Sequence, residues 1–474
     1  MKNGFAKIFL SLIISLFYLV SFSQSFKAGA AEVNITPPLG TLVNGGFTTN
    51  YARVIHDSLH TKALVLKNNE TTIALVVVDI CEMLKDFIDA TKSQIQKETG
   101  IPAANILISS THAHSAGAVE SDFLAFADLA YRKKLPGLIA KSVKNAQLKL
   151  RPAQIAFGAF NAPEHVVCRR YFMKEGYEAV NPVSGEKDRV KVNPFGDEKM
   201  IDRPVNPVDP QLSYLAVKGL DNNWISLIAN YSLHYVGDWQ EGTISADYFG
   251  EFSARIKQKL NAPASFVGMM SNGTSGDVNI VDFLHPDRYP KGDFNKTAVI
   301  AEDLAQKVQQ SLSQANWQKQ GSLSSYVSNF PVAIRRPAAG EVLEAKRIVE
   351  KTDFSKISDN AEGMKQLYAY EQVMLNEFPD TINFAIQALK IGDGAIGGLG
   401  GEIFAETGLW LKNQSKTKHY FTIGLANGYV GYVPPAKDIE LGGYETWRCR
   451  TSYLEKNAEE KIRAELLRLI KKTR

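Results

Sequence analysis

Two histidines separated by one residue, His112 and His114, close the apolar run ILISS and are followed by small residues. On a β-strand, residues i and i+2 point to the same face, so both imidazoles can reach one pocket. The pattern is short, and it also fits a polar pair at a strand end that Thr111 and Ser115 help to satisfy. The spacing alone therefore leaves a metal site, an acid/base pair and a structural role open.

A zinc site requires about four nitrogen, oxygen or sulfur ligands, and a catalytic one keeps a position open. The three cysteines, Cys81, Cys168 and Cys449, lie far apart and form no C-x-x-C pair, so the ligands would be histidines and oxygens. His234 closes the apolar run WISLIANYSLH and is the best second imidazole. The remaining histidines lie in loop-like or charged contexts, where surface or packing roles are expected: His56, His60, His165, His285 and His419.

Two acidic residues also follow apolar or glycine-rich runs. Glu402 lies in GGLGGEIFAETG, between a predicted strand and a predicted helix, and Asp277 lies in SGDVN. Each has a structural alternative, because a carboxylate near a helix N-terminus complements the helix dipole and an aspartate often forms a turn. Composition does not decide between these roles.

The elements that must position these side chains form three strand–helix–strand units, in residues 71–114, 224–279 and 393–432. In each unit, polar side chains collect where β-branched or apolar strands end. Parallel βαβ units place ligand sites at the carboxyl ends of their strands. The three units therefore predict one shared site that contains His112 and His114, His234 and Asp277, and Glu402 and Tyr432.

This order of elements predicts an α/β fold in which mixed β-sheets with βαβ units are layered with helices and the active site lies at strand C-terminal ends. Residues 337–378 are predicted to be helical, charged and peripheral, and AEEKIRAELLRLIKKTR closes the chain as an amphipathic helix. No linker or further module is predicted, so residues 24–474 are expected to form a single catalytic domain.

Composition and the N-terminus narrow the class of protein. Hydrophobic residues make up 45% and charged residues 22% of the chain, which is typical of a globular protein. A net charge of +4 without a basic run gives no support to nucleic acid as a partner.

Lys2 and Lys7 precede a 15-residue apolar run, Ile8 to Phe22, which is short for a membrane span. We therefore predict a signal peptide over residues 1–23 and a mature chain without a transmembrane segment, secreted or periplasmic. An oxidising compartment would permit a Cys168–Cys449 disulfide. The sequence does not predict an oligomeric state.

Several motifs occur in the order seen in one enzyme family: AGAAEVNITPPLGT, VVVDIC, ILISSTHAHSAG, ISADYFG, TSGDVN, GGE, ANGYVGYVPP and GGYET. Over Ala28 to Ile470 the chain resembles the neutral, non-lysosomal ceramidases and their bacterial relatives. The resemblance implies a zinc ion held by His112, His234, Glu402 and Tyr432. It also implies that His114, Tyr444 and Arg169, or its neighbour Arg170, face the scissile amide.

The implied activity is that of an exported amidohydrolase that cleaves an N-acyl bond with zinc-activated water, acting on a small-molecule or lipid substrate. The chain departs from the family in two places. Asn279 follows GDV where ceramidases carry the serine assigned as nucleophile, and an amide cannot replace that hydroxyl. No C-terminal β-sandwich domain is expected after the last helix.

These departures keep other functions open. The same zinc site could hydrolyse a different small N-acyl or ester substrate, or the chain could be a binding protein that retains the fold without activity. A dinuclear metallohydrolase built on the two adjacent histidines and Asp277 would need a second ligand set, and the sequence offers no further clustered histidine.

Overall fold

The computed structural model describes residues 26–43, 45–358 and 360–473, so the predicted signal peptide lies outside the described residues. The larger sheet has eight strands: β1 Lys27–Asn34, β2 His60–Lys67, β3 Thr72–Val78, β4 Ile106–Ser110, β5 Arg151–Asn161, β6 Gln211–Gly219, β7 Trp224–Tyr231 and β8 Val267–Asn272. Their spatial order is β8-β7-β6-β5-β1-β2-β3-β4.

The second sheet has four strands in chain order: β9 Leu323–Ala333, β10 Thr381–Ile391, β11 Gly394–Leu399 and β12 His419–Ile423. The helices of the described residues are α1 Lys85–Thr99, α2 Leu129–Leu148, α3 Asp247–Lys259, α4 Asn295–Ser311, α5 Ala339–Lys351, α6 Ala361–Leu375, α7 Ala405–Ser415, α8 Ala436–Leu441 and α9 Ala458–Lys471. Short paired strands include Glu402–Ile403 with Tyr432–Val433, and Val278–Asn279 with Val167–Cys168.

The three predicted strand–helix–strand units are present. Strands β3 and β4 are parallel and are joined through α1, β7 and β8 are parallel and are joined through α3, and β11 and β12 are parallel and are joined through α7. The other neighbouring strands of both sheets are antiparallel, which makes the sheets mixed. The predicted α/β fold class is confirmed.

The alternation of side chains along β3 shows how the layers are built. Ile73, Leu75 and Val77 pack into a buried cluster that also contains Leu389 and Phe421 of the second sheet. The intervening side chains of the same strand face helices α1 and α2 instead: Ala74, Val76 and Val78. Because successive strand residues point to opposite faces, one apolar strand serves both layers, and the two sheets pack face to face.

Helices cover the outer faces of both sheets. Strands β7 and β8 pack against α3 and α4, and the second sheet packs against α9, whose Ile462 and Leu466 are buried. The amphipathic pattern of the last segment is thus satisfied by burial of one face. The order of layers is helix, sheet, sheet, helix.

The segment 337–378 is helical as predicted, but its expected peripheral position is wrong. Tyr368 and Glu371 of α6 are fully buried, and Arg450 pairs with Glu371 at 2.6 Å. The charged residues of this segment suggested exposure, but a buried ion pair neutralises the acid that α6 encloses.

Cys168 and Cys449 are free thiols, so the structure contains no disulfide between them. In the described part of the chain, no helix is long and apolar enough to cross a membrane.

Replacing Leu75 by alanine tests the contact between the sheets. The substitution leaves a cavity in the layer that both sheets share and should lower the free energy of unfolding by about 2–5 kcal/mol, measured by urea denaturation. Leu343 on α5 is 54% exposed and provides the control, for which alanine should change stability by less than about 0.5 kcal/mol. Equal effects at the two positions would contradict this packing.

Candidate active site

His112 and His114 meet by a different route from the one expected of a continuous strand. Strand β4 ends at Ser110, and His112 adopts a left-handed conformation with φ 71°. This conformation is uncommon outside glycine and is stabilised here because the backbone N–H of His112 donates to the carbonyl of Ile80 at 3.0 Å. The resulting turn brings Nε2 of His114 to 3.2 Å from Nε2 of His112.

The backbone also selects the tautomer of His112. Its Nδ1 lies 3.0 Å from the carbonyl oxygen of Cys81 and can only donate to it. Nε2 therefore carries the free lone pair, which points toward Glu402. A histidine whose other nitrogen donates to a carbonyl is oriented for metal binding.

Three ligand atoms from the three βαβ units converge beside β4. Nε2 of His112 lies 3.4 Å from Oε2 of Glu402, and Nε2 of His234 lies 3.9 Å from the same oxygen. All three residues are buried, and the three atoms lie within 4.8 Å of one another. Oε2 of Glu402 has no hydrogen-bond partner among the described residues.

An unpaired carboxylate oxygen in the interior is costly unless a positive charge satisfies it. Two imidazole nitrogens and this oxygen form the nitrogen and oxygen donor set that catalytic zinc sites use. Burial favours the protonated form of Glu402, but the adjacent His112 side chain and the positive charge of Arg169 lower the pKa of this carboxyl below its usual value. The residues present therefore fit a divalent metal of the zinc type.

Tyr432 lies directly beside this group. The short strand Glu402–Ile403 pairs in parallel with Tyr432–Val433, and Glu402 is opposite Tyr432. The hydroxyl of Tyr432 lies 3.5 Å from that of Tyr444. Burial and the charge of Glu402 raise the pKa of Tyr432 well above its usual value. Both predicted tyrosines are thus next to the predicted metal ligands.

Of the two candidate arginines, the structure brings Arg169 to this site. Its guanidinium lies 5.3 Å from the ring centre of Tyr432 and 5.2 Å from that of Tyr444, and Nη1 lies 3.4 Å from Nε2 of His234. Arg170 shares Glu445 with Arg169, but its guanidinium otherwise donates to the backbone carbonyls of Asp438 and Gly442 at 3.2 and 2.9 Å. Successive residues of an extended segment face opposite sides, which accounts for the division.

His114 is partly buried and held on two sides. Its Nδ1 lies 2.8 Å from the carbonyl oxygen of Gly45, and its ring stacks on Tyr235 at 3.7 Å between centres. Burial, and next the nearby imidazole of His112, lower the pKa of His114 well below its usual value. His114 is therefore a neutral imidazole whose Nε2 carries a lone pair and faces Nε2 of His112. Sequence reasoning missed Tyr235, although it directly follows His234.

A second group of potential ligands also includes His112, namely Cys81, His112 and His114. Sγ of Cys81 is 3.7 Å from Nδ1 of His112, the nitrogen that already donates to a carbonyl. Burial and the adjacent charge of Glu82 raise the pKa of the Cys81 thiol well above its usual value. Since metals bind the thiolate, this group is the weaker candidate.

Asp277 does not join the metal ligands. Its Oδ1 accepts a hydrogen bond from the backbone N–H of Ala405, the first residue of α7, and its Oδ2 accepts one from Asn206. Burial raises the pKa of Asp277 to about 6. Asp277 thus accepts a hydrogen bond from the N-terminus of α7, which is the structural role that the sequence also allowed for Glu402. Glu402 is therefore left to face the histidines.

The side chains of Asn279 and Ser275, which flank the GDV motif region, are both held by hydrogen bonds. Asn279 donates to Oδ1 of Asn193 at 2.7 Å, and its own carbonyl accepts from the backbone N–H of Ile280. The hydroxyl of Ser275 is buried and donates to Asn272 at 2.7 Å. Neither side chain offers a hydroxyl to the metal ligands.

A cleft of about 1240 Å³ opens above this group, and His112, His114, Glu402, Tyr432 and Tyr444 line it. One wall is a row of four aromatic rings whose neighbouring centres lie 4.8, 5.9 and 5.4 Å apart: Phe47, Phe123, Tyr368 and Trp447. The lining also includes two acids that sequence reasoning missed, Glu82 and Asp122. Burial and the charge of Glu371 raise the pKa of Asp122 to about 7.

Comparison with solved structures finds this fold in neutral ceramidase from Pseudomonas aeruginosa. The TM-score is 0.67 at 14% identity, over 94% of this chain and 74% of that chain. A ceramidase complexed with C2 gives a TM-score of 0.67 at 15% identity, over 94% of this chain and 75% of that one. No protein-family description and no curated protein matches the sequence. The chain thus has the fold of the ceramidases, which confirms the fold expected from the resemblance.

Replacing Arg170 by methionine tests its assignment as a structural residue. The change removes the cation beside Asp438, which keeps only its hydrogen bond from Asn206, and leaves one oxygen of Glu445 without its partner, so it should lower the free energy of unfolding by about 3–5 kcal/mol. Arg203→Met, at an exposed ion pair, is the matched control and should cost less than about 0.5 kcal/mol. Chemical denaturation followed by circular dichroism measures both, and a small effect at Arg170 would contradict the assignment.

Proposed function

We propose that the protein is a zinc-dependent hydrolase that cleaves the amide bond of an N-acyl substrate, as ceramidases do. The observation that carries the proposal is the buried group of His112, His234 and Glu402, with one unpaired carboxylate oxygen, at the base of a large cleft. The ceramidase fold of the chain supports the same class of reaction. Tyr432, opposite Glu402 in the short parallel pair, is proposed as the fourth ligand.

Zinc bound there would supply an activated water molecule and would polarise the acyl carbonyl. The surrounding side chains would transfer protons and stabilise the developing charge. Nδ1 of His114 donates to Gly45, so its Nε2, which faces the metal ligand His112, carries a lone pair that can take a proton from the attacking water and return it to the leaving nitrogen. No protein nucleophile is required, which is compatible with Asn279.

Arg169 and Tyr444 are proposed to stabilise the negative charge that develops on the carbonyl oxygen. The guanidinium of Arg169 is held by Glu445 and by the carbonyl of Gly276, so it is oriented before substrate binds. Burial raises the pKa of Tyr444 above its usual value, and its hydroxyl therefore remains a donor. A donor that is already oriented contributes more in a site that excludes water.

The cleft supports an acyl substrate of substantial size. Its volume of about 1240 Å³ exceeds the roughly 300–1,000 Å³ of ordinary ligand pockets. The aromatic wall suits an apolar acyl group, and the acids Glu82 and Asp122 give the site a polar side as well. A small-molecule or lipid N-acyl compound fits both surfaces.

A second candidate is hydrolysis of a different small N-acyl or ester compound by the same metal site. The observation that favours it is the hydrogen-bonded amide of Asn279 at the position of the family serine. For either substrate we propose that residues 1–23 direct export to the periplasm or the medium and that residues 24–474 act as one catalytic domain.

The metal site is tested by elemental analysis and by turnover. Wild-type protein should contain one zinc per chain, and Glu402→Gln should lose most of the zinc and the activity because it removes the charge on the buried oxygen. Glu406→Gln makes the same chemical change four residues further along the chain, in the first turn of α7 at the Lys437 ion pair, and should retain both. A full equivalent of zinc in Glu402→Gln would exclude the ligand set.

The substrate is tested by offering ceramides, N-acyl amino acids, N-acyl sugars and simple esters side by side. Chelation should abolish turnover of whichever compound is cleaved, and added zinc should restore it. Ceramide as the sole substrate would reject the second candidate. Bound zinc without turnover of any compound would favour a binding protein instead.

A further inference from the structure

One buried hydroxyl contacts a proposed metal ligand and has no role in the mechanism above. Tyr429 follows β12 in the loop that leads to Tyr432, and its side chain is buried. Its hydroxyl donates to Oε1 of Glu402 at 2.8 Å. The same tyrosine also hydrogen bonds with the carboxyl group of Glu82.

This hydrogen bond makes the two oxygens of Glu402 unequal. Oε1 is occupied by Tyr429, whereas Oε2 is unpaired and lies 3.4 Å and 3.9 Å from the histidine nitrogens. A carboxylate can bind a metal through one oxygen or through both. We propose that Tyr429 is a positioning residue that holds Oε1 away from the metal and leaves Oε2 as the single ligand atom of Glu402. This inference rests on the proposed zinc site.

The backbone around Tyr429 is built to keep this geometry. The N–H of Glu402 donates to the carbonyl of Gly431 at 2.8 Å, which joins the tyrosine loop to the metal ligand. Gly431 has φ 74°, and a Cβ there would lie 2.0 Å from the carbonyl oxygen of Thr451. Only glycine therefore fits this loop at that point. The hydroxyl and the carboxylate are thus held together by a backbone bond as well as by their own contact.

Removing the hydroxyl would leave Oε1 unpaired in the interior and free to turn toward the metal. Groups that orient a metal ligand typically contribute about 10–100-fold to metal affinity. Tyr429→Phe removes the donor with little change in shape. Tyr420→Phe is the matched control, because Tyr420 is also buried and its hydroxyl hydrogen bonds to the neutral hydroxyl of Thr422 at 2.8 Å.

The experiment measures the zinc dissociation constant by competition with a chelator, and the thermal unfolding of the metal-free proteins. Tyr429→Phe should bind zinc about 10–100-fold more weakly than wild type, while Tyr420→Phe should bind it as wild type does. Metal-free Tyr429→Phe should lose some stability because Oε1 is left unpaired, but it should remain folded at the temperature of the titration. A merely structural role of Tyr429 would lower the unfolding temperature without weakening zinc binding. Zinc affinity of Tyr429→Phe within threefold of wild type would overturn the proposal.

Infrared difference spectra of the wild-type chain give a second measurement that needs no folded variant at Tyr429. Zinc should induce the wide splitting of carboxylate bands that binding through one oxygen produces, and this signal should be missing in Glu402→Gln. A narrow splitting, typical of binding through both oxygens, would overturn the role of Tyr429 and leave the zinc site intact. A wild-type chain that binds no zinc would overturn both.

Discussion

Glu402 carries a negative charge in the protein interior, and the surrounding side chains are arranged around that charge. Burial favours its protonated form, yet the nearby His112 and Arg169 reverse the effect and lower the pKa of the carboxyl. A buried charge is tolerated only when other groups pair with it and hydrogen bond to it. Tyr429 satisfies one oxygen, and the second faces two imidazole nitrogens. The charge of Glu402 and the groups that face it are therefore in place before any ligand enters the cleft.

The fold delivers these groups from widely separated parts of the sequence. Each of the three parallel strand pairs ends at the same place, and the loops that follow contribute His112, His234 and Glu402. Asn427 joins the two sheets beside the site, because it accepts from the N–H of Ile108 and donates to Gln387. Asp277 satisfies the start of α7 and so leaves Glu402 to the histidines. These local hydrogen bonds give Asp277 a structural role and leave Glu402 in the candidate metal site.

Much of this could be predicted from local patterns. The β-branched run of β3, the 3.6-residue spacing of α1 and its closing Gly100 identify a βαβ unit, and the strand ends indicate where polar side chains gather. Tertiary contacts could not be predicted in the same way. The left-handed turn at His112 depends on the carbonyl of Ile80, and the burial of Glu371 depends on an arginine 79 residues away.

The roles of neighbouring residues were also undetermined by the sequence. Arg169 and Arg170 are chemically identical and both buried, and only the direction of each side chain separates the one beside His234 from the one beside Asp438. Tyr235, Glu82 and Asp122 line the cleft through contacts between loops, for which no short motif exists. Asp277 and Glu402 both follow strand ends, and the backbone N–H of Ala405 determines which of them serves the helix.

We propose that His112, His234 and Glu402 hold a zinc ion through nitrogen and oxygen alone. X-ray absorption at the zinc K edge of the purified protein distinguishes this ligand set from one with sulfur, because sulfur and lighter ligands scatter differently. A single shell of nitrogen and oxygen at about 2.0–2.2 Å is expected. A sulfur neighbour at about 2.3 Å would assign the metal to Cys81 instead and would exclude this ligand set.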